Sequence, residues 1–167
     1  MSDRAFVSLA GKPRGWGRPQ ARIVKPRGVR IIVPKGARAP FVHFYLDEQT
    51  RKYEAALREN ARCEMASRVA IGGPVRAKII ASYKPPKSAT IKQKSDMLAG
   101  IVMPISRGTP DLDNIMKMCD ALNEVVFEDD VQICEAYLLK RYAEYDAIEI
   151  EITPYAPNEG SLLALFE

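Results

Sequence analysis

Two aspartates stand two residues apart at Asp111 and Asp113, Lys117 follows, and a second pair, Asp129 and Asp130, closes the same stretch. Between Thr109 and Gln132 the chain carries seven acidic side chains and one lysine. Like charges a few ångströms apart raise one another's pKa and destabilise a fold unless a cation shares them. Carboxylate oxygens with no histidine or thiolate among them suit Mg²⁺, with Mn²⁺ as a possible substitute. A carboxylate-bound magnesium activates water and steadies a leaving oxygen, which fits phosphodiester hydrolysis. A plainer reading competes: Thr109 as N-cap, Pro110 at the first helical position and acids in the first turn also make a good helix start. It accounts for Asp111 and Asp113, but not for Asp129 and Asp130 nor for Lys117 one turn past Asp113.

These side chains need an element to hold them. On a wheel of 100° per residue over 113–126, Ile115, Met118, Cys119, Leu122 and Val126 share one face, and Asp113, Lys117, Asp120 and Glu124 share the other. The helix therefore buries an apolar stripe and turns a carboxylate–lysine–carboxylate ladder outward. Asp120 and Glu124 read as the solvated continuation of that ladder. Asp129 and Asp130 join it only if the strand after Phe127 runs back along the start of the helix.

Charge is divided along the chain. Residues 1–40 hold ten Lys/Arg against the single Asp3, a net +9, whereas residues 109–167 hold three basic and fourteen acidic side chains, a net −11. A polyanion gripped by the first part and presented to a metal-loaded second part fits that division, with a solvated basic arm as the alternative. Within GKPRGWGRPQAR, glycines 11, 15 and 17 permit close backbone approach. Lys12, Arg14, Arg18 and Arg22 supply cations around Trp16, whose ring is a candidate stacking face. Lys84, Lys87, Lys92 and Lys94 add a second basic group. The loop lacks the GK[ST] ending of a phosphate-binding P-loop.

Around these segments the patterns predict strands at 5–9, 29–33, 41–45 and 75–83, where Val75, Ala77, Ile79 and Ala81 alternate with Arg76, Lys78, Ile80 and Ser82. Two more are predicted at 131–142 and 147–153, with AEYD as a hairpin turn between them. Asp47 to Val69 reads as one amphipathic helix with Tyr53, Ala56, Leu57, Cys63 and Met65 toward the core. Residues 91–103 fit either a short helix or a mobile basic segment, and the tail after Pro154 ends in an apolar cluster. The mixed order predicts one α+β domain over 1–167, a mixed β-sheet packed by helices, with the basic segment 1–40 included.

The three cysteines, Cys63, Cys119 and Cys134, form no CxxC pair and read as reduced core residues. The only histidine is His43, which gives little support to a zinc site or a Ser/His/Asp triad. No apolar run reaches the roughly 18 to 20 residues of a membrane span, and the first residues lack a signal peptide's apolar region. The expected location is cytoplasmic, with no membrane partner.

At PDLDNIMKMCDALN, at EDDVQI, at K-R-Y on the following strand and at the N-terminal GKPRGWGRP, the sequence resembles the RusA Holliday junction resolvases of bacteria and their phages. That resemblance spans essentially the whole chain. It implies an α+β homodimer that cuts four-way DNA junctions by paired nicks, in DNA recombination and repair. It also implies that Asp111, Asp113 and Asp130 are catalytic and bind magnesium, and that Lys117 contributes. Asp129 is expected behind them or as a substitute ligand. Lys117 would stabilise the charged phosphorane or orient the water, and Lys12, Arg14, Arg18, Arg22 and the lysines at 84–94 would hold phosphates. Two other readings stand beside this one: a non-catalytic nucleic-acid-binding protein whose acidic helix docks a partner, and a general metal nuclease acting on flaps or RNA.

Overall fold

A computed structural model describes residues 4–17, 20–23, 42–45 and 47–156. The strand expected at 29–33, Arg18 and the apolar tail cluster lie outside the described residues. Four strands, β1 (Ala5–Ala10), β6 (Ala147–Pro154), β4 (Val75–Tyr83) and β5 (Ile133–Tyr142), form one sheet in that spatial order. β6 is antiparallel to both β1 and β4, while β5 joins β4 in parallel. The sheet is mixed and packed by helices, as the α+β expectation requires.

Period-two alternation places the core. Val75, Ala77, Ile79 and Ala81 of β4 and Ile148, Ile150 and Ile152 of β6 are fully buried. Each such isoleucine contributes about 1.5–3 kcal/mol relative to an exposed one. On the opposite face Glu151 pairs with Arg4 at 2.9 Å and Glu149 with Arg141 at 3.3 Å.

The predicted β5–β6 hairpin does not form, because β4 lies between those two strands. Residues 143–146 instead arch over the end of β4. Ala143 N donates to Tyr83 O at 2.9 Å and Lys84 N to Asp146 Oδ1 at 2.8 Å. The arch also fixes the basic loop, since Gly11 N donates to Asp146 O at 2.8 Å. A separate two-stranded ribbon pairs β2 (Gln20–Ile23) with β3 (Val42–Tyr45). The end of the GKPRGWGRPQAR stretch, residues 20–22, is thus strand rather than loop.

Helix α1 (Glu48–Met65) begins at Asp47, whose carboxylate accepts from Thr50 N at 3.0 Å. Thr50, Leu57, Ala61 and Met65 form its buried stripe. Cys63 is exposed rather than core-facing, because it lies two residues, about 200°, from Ala61. Cys134 is likewise exposed, on edge strand β5, and only Cys119 is buried. Residues 91–98 resolve as a helix, α2 (Ile91–Leu98), started by a capping box between Thr90 and Gln93.

Candidate nuclease site

The acidic stretch is not one regular helix. A five-residue α-helix, α3 (Leu112–Met116), tightens into a 3-10 segment at Lys117–Leu122. Its apolar face is the predicted one: Ile115, Met118, Cys119 and Leu122 are buried, with Val126 and Phe127 beyond them. Burial pushes the Cys119 thiol up to about 12, with the Asp120 and Asp130 charges adding to the shift, so it is held as an inert neutral group.

Thr109 does not cap α3. Its hydroxyl donates to Pro104 O at 3.0 Å and Ser106 O at 2.7 Å, which closes the preceding turn. Asp111 takes the N-cap position in extended backbone, φ −70° and ψ 157°, and its carboxylate makes no capping bond. That exposed carboxylate is not engaged in building the helix. Asp113, also exposed, lies 3.5 Å from Lys117 Nζ. Where the 3-10 segment begins, residues three apart eclipse, so Lys117 is stacked toward Asp120.

Asp120 is the main correction. It is half-buried rather than solvated, and its carboxyl is raised to about 6. Burial is the largest cause, followed by hydrogen-bond and charge contact with Asp130, while Lys117 pulls in the other direction. α1 supplies a further acid: Glu54 is raised by burial and then by the charge of Asp120. Arg58, also on α1, places Nη2 3.5 Å from Asp120 O. Glu124, which had been grouped with Asp120, leaves the ladder altogether. It adopts φ 64° in a tight turn where its N–H donates to Phe127 O at 2.8 Å.

That turn returns the chain. Ile71 N donates to Val126 O at 2.7 Å, and a short 3-10 turn over Asp130–Gln132 follows. Asp129 caps this turn, accepting from Val131 N at 3.0 Å. Gln132 clamps it: Oε1 accepts from Glu128 N at 2.7 Å, and Nε2 donates to Gly73 O at 2.6 Å. Asp129 is thereby occupied in the turn, and Asp130 projects to Cys119 and Asp120. The chain does come back alongside the helical segment, and β5 reaches the start of α3 through Lys140, but Asp130 itself meets Asp120 in the 3-10 part rather than Asp111.

Among the described residues no three His, Cys, Asp or Glu side chains converge closely enough to hold a metal ion between them. The donor chemistry still suits a hard cation. Magnesium is commonly held by one or two carboxylates and completes its shell with water and phosphate oxygens. Asp120 and Asp130 are such a pair, joined through Lys117 to Asp113.

The basic loop is laid over this helix. Trp16 N donates to Asn114 O at 2.7 Å, and a Cβ built on Gly15 would fall 2.6 Å from Pro110 Cβ and 2.9 Å from Asn114 Cβ. Only glycine allows that approach. Lys140 Nζ holds the other side of the turn by donating to Pro110 O at 3.1 Å. Lys12, Pro13, Arg14, Gly15, Gly108 and Pro110 line a cleft of about 320 Å³ beside Asp111. Trp16 is not a free stacking platform, since it packs against the core. Arg14 turns toward α1, with Nη1 2.7 Å from Gln49 Oε1 and Nη2 3.6 Å from Asp47 Oδ1. The Arg22 side chain lies outside the described residues. Lys84, Lys87 and Lys92 are exposed on the loop before α2 and on α2, and Lys94 is partly covered.

Asp120, Glu54 and Arg58 had not been singled out as site residues. The position of Asp120, three residues after Lys117, carries a signal only once the helix is known to tighten there. Nothing in the sequence pairs α1 with Asp120.

An acidic, lysine-bearing helical segment beneath a basic loop on an α+β scaffold defines the class: an enzyme-like surface for a polyanionic chain. The family model for endodeoxyribonuclease RusA matches residues 11–153, and the chain belongs to that family. That family is one of DNA endonucleases that act on branched junctions. The chain is also similar to a Bacillus subtilis (strain 168) protein called "Uncharacterized protein YqaN". The two are 28% identical over 153 residues, covering 90% of this chain and 96% of that protein.

Proposed function

We propose that the protein is a magnesium-dependent resolvase that cuts four-way DNA junctions by paired nicks, working as a cytoplasmic homodimer in recombination and repair. The observation that carries the reading is the line of groups Asp113, Lys117, Asp120 and Asp130, set beneath the basic loop. The family resemblance assigns the ion to Asp111, Asp113 and Asp130, whose carboxylates the ion would have to draw together, with Asp120 beside Asp130 and Asp129 capping the turn that presents it. The ion, when bound, supplies an activated water and neutralises the phosphate being cut. Mn²⁺ is the expected substitute.

The chain's own groups do the rest. Asp113 pairs with the Lys117 ammonium, which would meet negative charge building on the phosphorus oxygens. Lys12 and the lysines at 84–94 hold flanking phosphates. A two-fold dimer matches a junction with two equivalent scissile positions.

The test is incubation of the purified chain with labelled four-way, flap and linear duplex DNA, with and without Mg²⁺. The reading expects symmetric nicks in the four-way junction only when Mg²⁺ is present. Equal cutting of flaps would make the protein a general nuclease. Junction binding without nicking at any divalent concentration would make it a non-catalytic binding protein.

A further inference from the structure

The basic loop contains two cations of different kinds, Lys12 and Arg14. We infer that Arg14 is a positioning residue, a brace between α1 and the first turn of α3, and that Lys12 is the loop's contact to phosphate. The inference rests on the nuclease reading above and alters how the basic loop serves it.

Both terminal nitrogens of Arg14 are directed at the start of α1, to Gln49 Oε1 at 2.7 Å and Asp47 Oδ1 at 3.6 Å. Its Nε is enclosed, with no hydrogen-bond partner. The Tyr53 phenol sits beside the Arg14 main chain without reaching good hydrogen-bond geometry, and burial pushes it up to about 12. The terminal nitrogens of the guanidinium are therefore already engaged by the start of α1. Asp47 is rigid in its own right, since its carboxylate is held by the Thr50 amide and hydroxyl at the cap of α1.

From this anchor the chain passes directly to the site. Gly15 presses on Pro110 and Asn114, and Trp16 N bonds Asn114 O at 2.7 Å. Pro110 and Asn114 flank Asp111 and Asp113. Loosening Arg14 therefore frees the wedge that sets where those carboxylates stand. Lys12, by contrast, is exposed at the mouth of the cleft and makes no ion pair or hydrogen bond among the described residues.

Arg14→Gln, Arg14→Lys, Gln49→Ala and Lys12→Gln separate the two roles in the full-length chain. Three measurements suffice: emission of the single tryptophan, Trp16; affinity for a labelled four-way junction over a salt series without divalent cation; and single-turnover cleavage with Mg²⁺. Arg14→Gln and Gln49→Ala should both red-shift the emission and slow cleavage by about ten-fold or more, because small misplacements of reacting groups are costly. Junction affinity and its salt slope should stay as in the wild type. Arg14→Lys keeps the charge but loses the fork that spans two acceptors, so it should behave like Arg14→Gln. Lys12→Gln should leave the emission in place, weaken binding and reduce the salt slope by about 1. The inference is overturned if Arg14→Gln removes that unit of slope while Arg14→Lys retains it and Gln49→Ala changes nothing. Cleavage of no DNA by the wild-type chain would remove the nuclease reading, and the emission comparison would still decide the brace.

Discussion

Replacing Asp120 by Asn should make the metal-free protein more stable and the enzyme worse. Asp120 is raised from 3.8 to about 6 by burial and by Asp130. At full strength a shift of that size corresponds to about 3 kcal/mol. The carboxyl is only half-buried, and solvent screening lowers the figure to about 1 kcal/mol. The sign follows from the raised folded-state value. The penalty is absent below the unfolded value near 3.8, grows as pH rises through about 6 and is complete above it. Asn keeps a donor for Asp130 while removing the charge, so it relieves the penalty. Thermal unfolding followed by circular dichroism in a chelating buffer is the assay. At about pH 8 the variant should melt about 2–4 °C above the wild type, with the gap closing toward about pH 4. Added Mg²⁺ should raise the wild-type midpoint more than the variant's, and junction cleavage should fall. A variant that melts below the wild type at high pH, or a gap that ignores pH, would refute the account of Asp120 and Asp130 as a repelling pair.

Asp113→Asn should abolish Mg²⁺-dependent cleavage while junction binding stays intact or tightens, since a ligand and a repulsive charge go together; full cleavage by that variant would remove Asp113 from the site. Its effect on stability should be within about 1 kcal/mol, because the Lys117 pair is exposed. Gly15→Ala should cost about 1–3 kcal/mol and red-shift Trp16, since the new methyl meets Pro110 and Asn114 inside contact distance; chemical denaturation with fluorescence reads both effects at once. Glu124→Gly should stabilise the fold by about 0.5–1 kcal/mol, because φ 64° strains any residue with a Cβ. The check is a higher denaturation midpoint at unchanged slope.

The strands that alternate cleanly were legible in the sequence. β4 occupies 75–83 as predicted, and the isoleucines of β6 are buried as their spacing required. The helix expected at 47–69 was legible too, apart from Cys63 and from its C-terminal end, which stops at Met65. What could not be read is set by contacts distant in sequence. The insertion of β4 between β5 and β6 depends on a pairing partner about seventy residues upstream of β6, and a short AEYD link looks the same whether it makes a hairpin or an arch. At the site, the apolar face and the Asp113–Lys117 pair followed from helical periodicity. Asp120 did not, because periodicity assumes a uniform helix and this one tightens at Lys117. The roles of Asp129 and Asp130 separated only when Gln132 was seen to clamp their turn through Gly73.

The sheet order bears on when the enzyme can exist. β6, the last strand of the sheet in sequence, lies second in space and bridges β1 and β4. A chain growing from its N-terminus therefore holds β1 against α1 but without a strand partner, and the basic loop attached to it cannot be anchored at Asp146 until that residue has emerged. The acidic turn likewise has no parallel partner until β5 follows it onto β4. Such long-range closures fold slowly. During synthesis the four-stranded sheet that carries the site closes only once residues 147–154 have emerged.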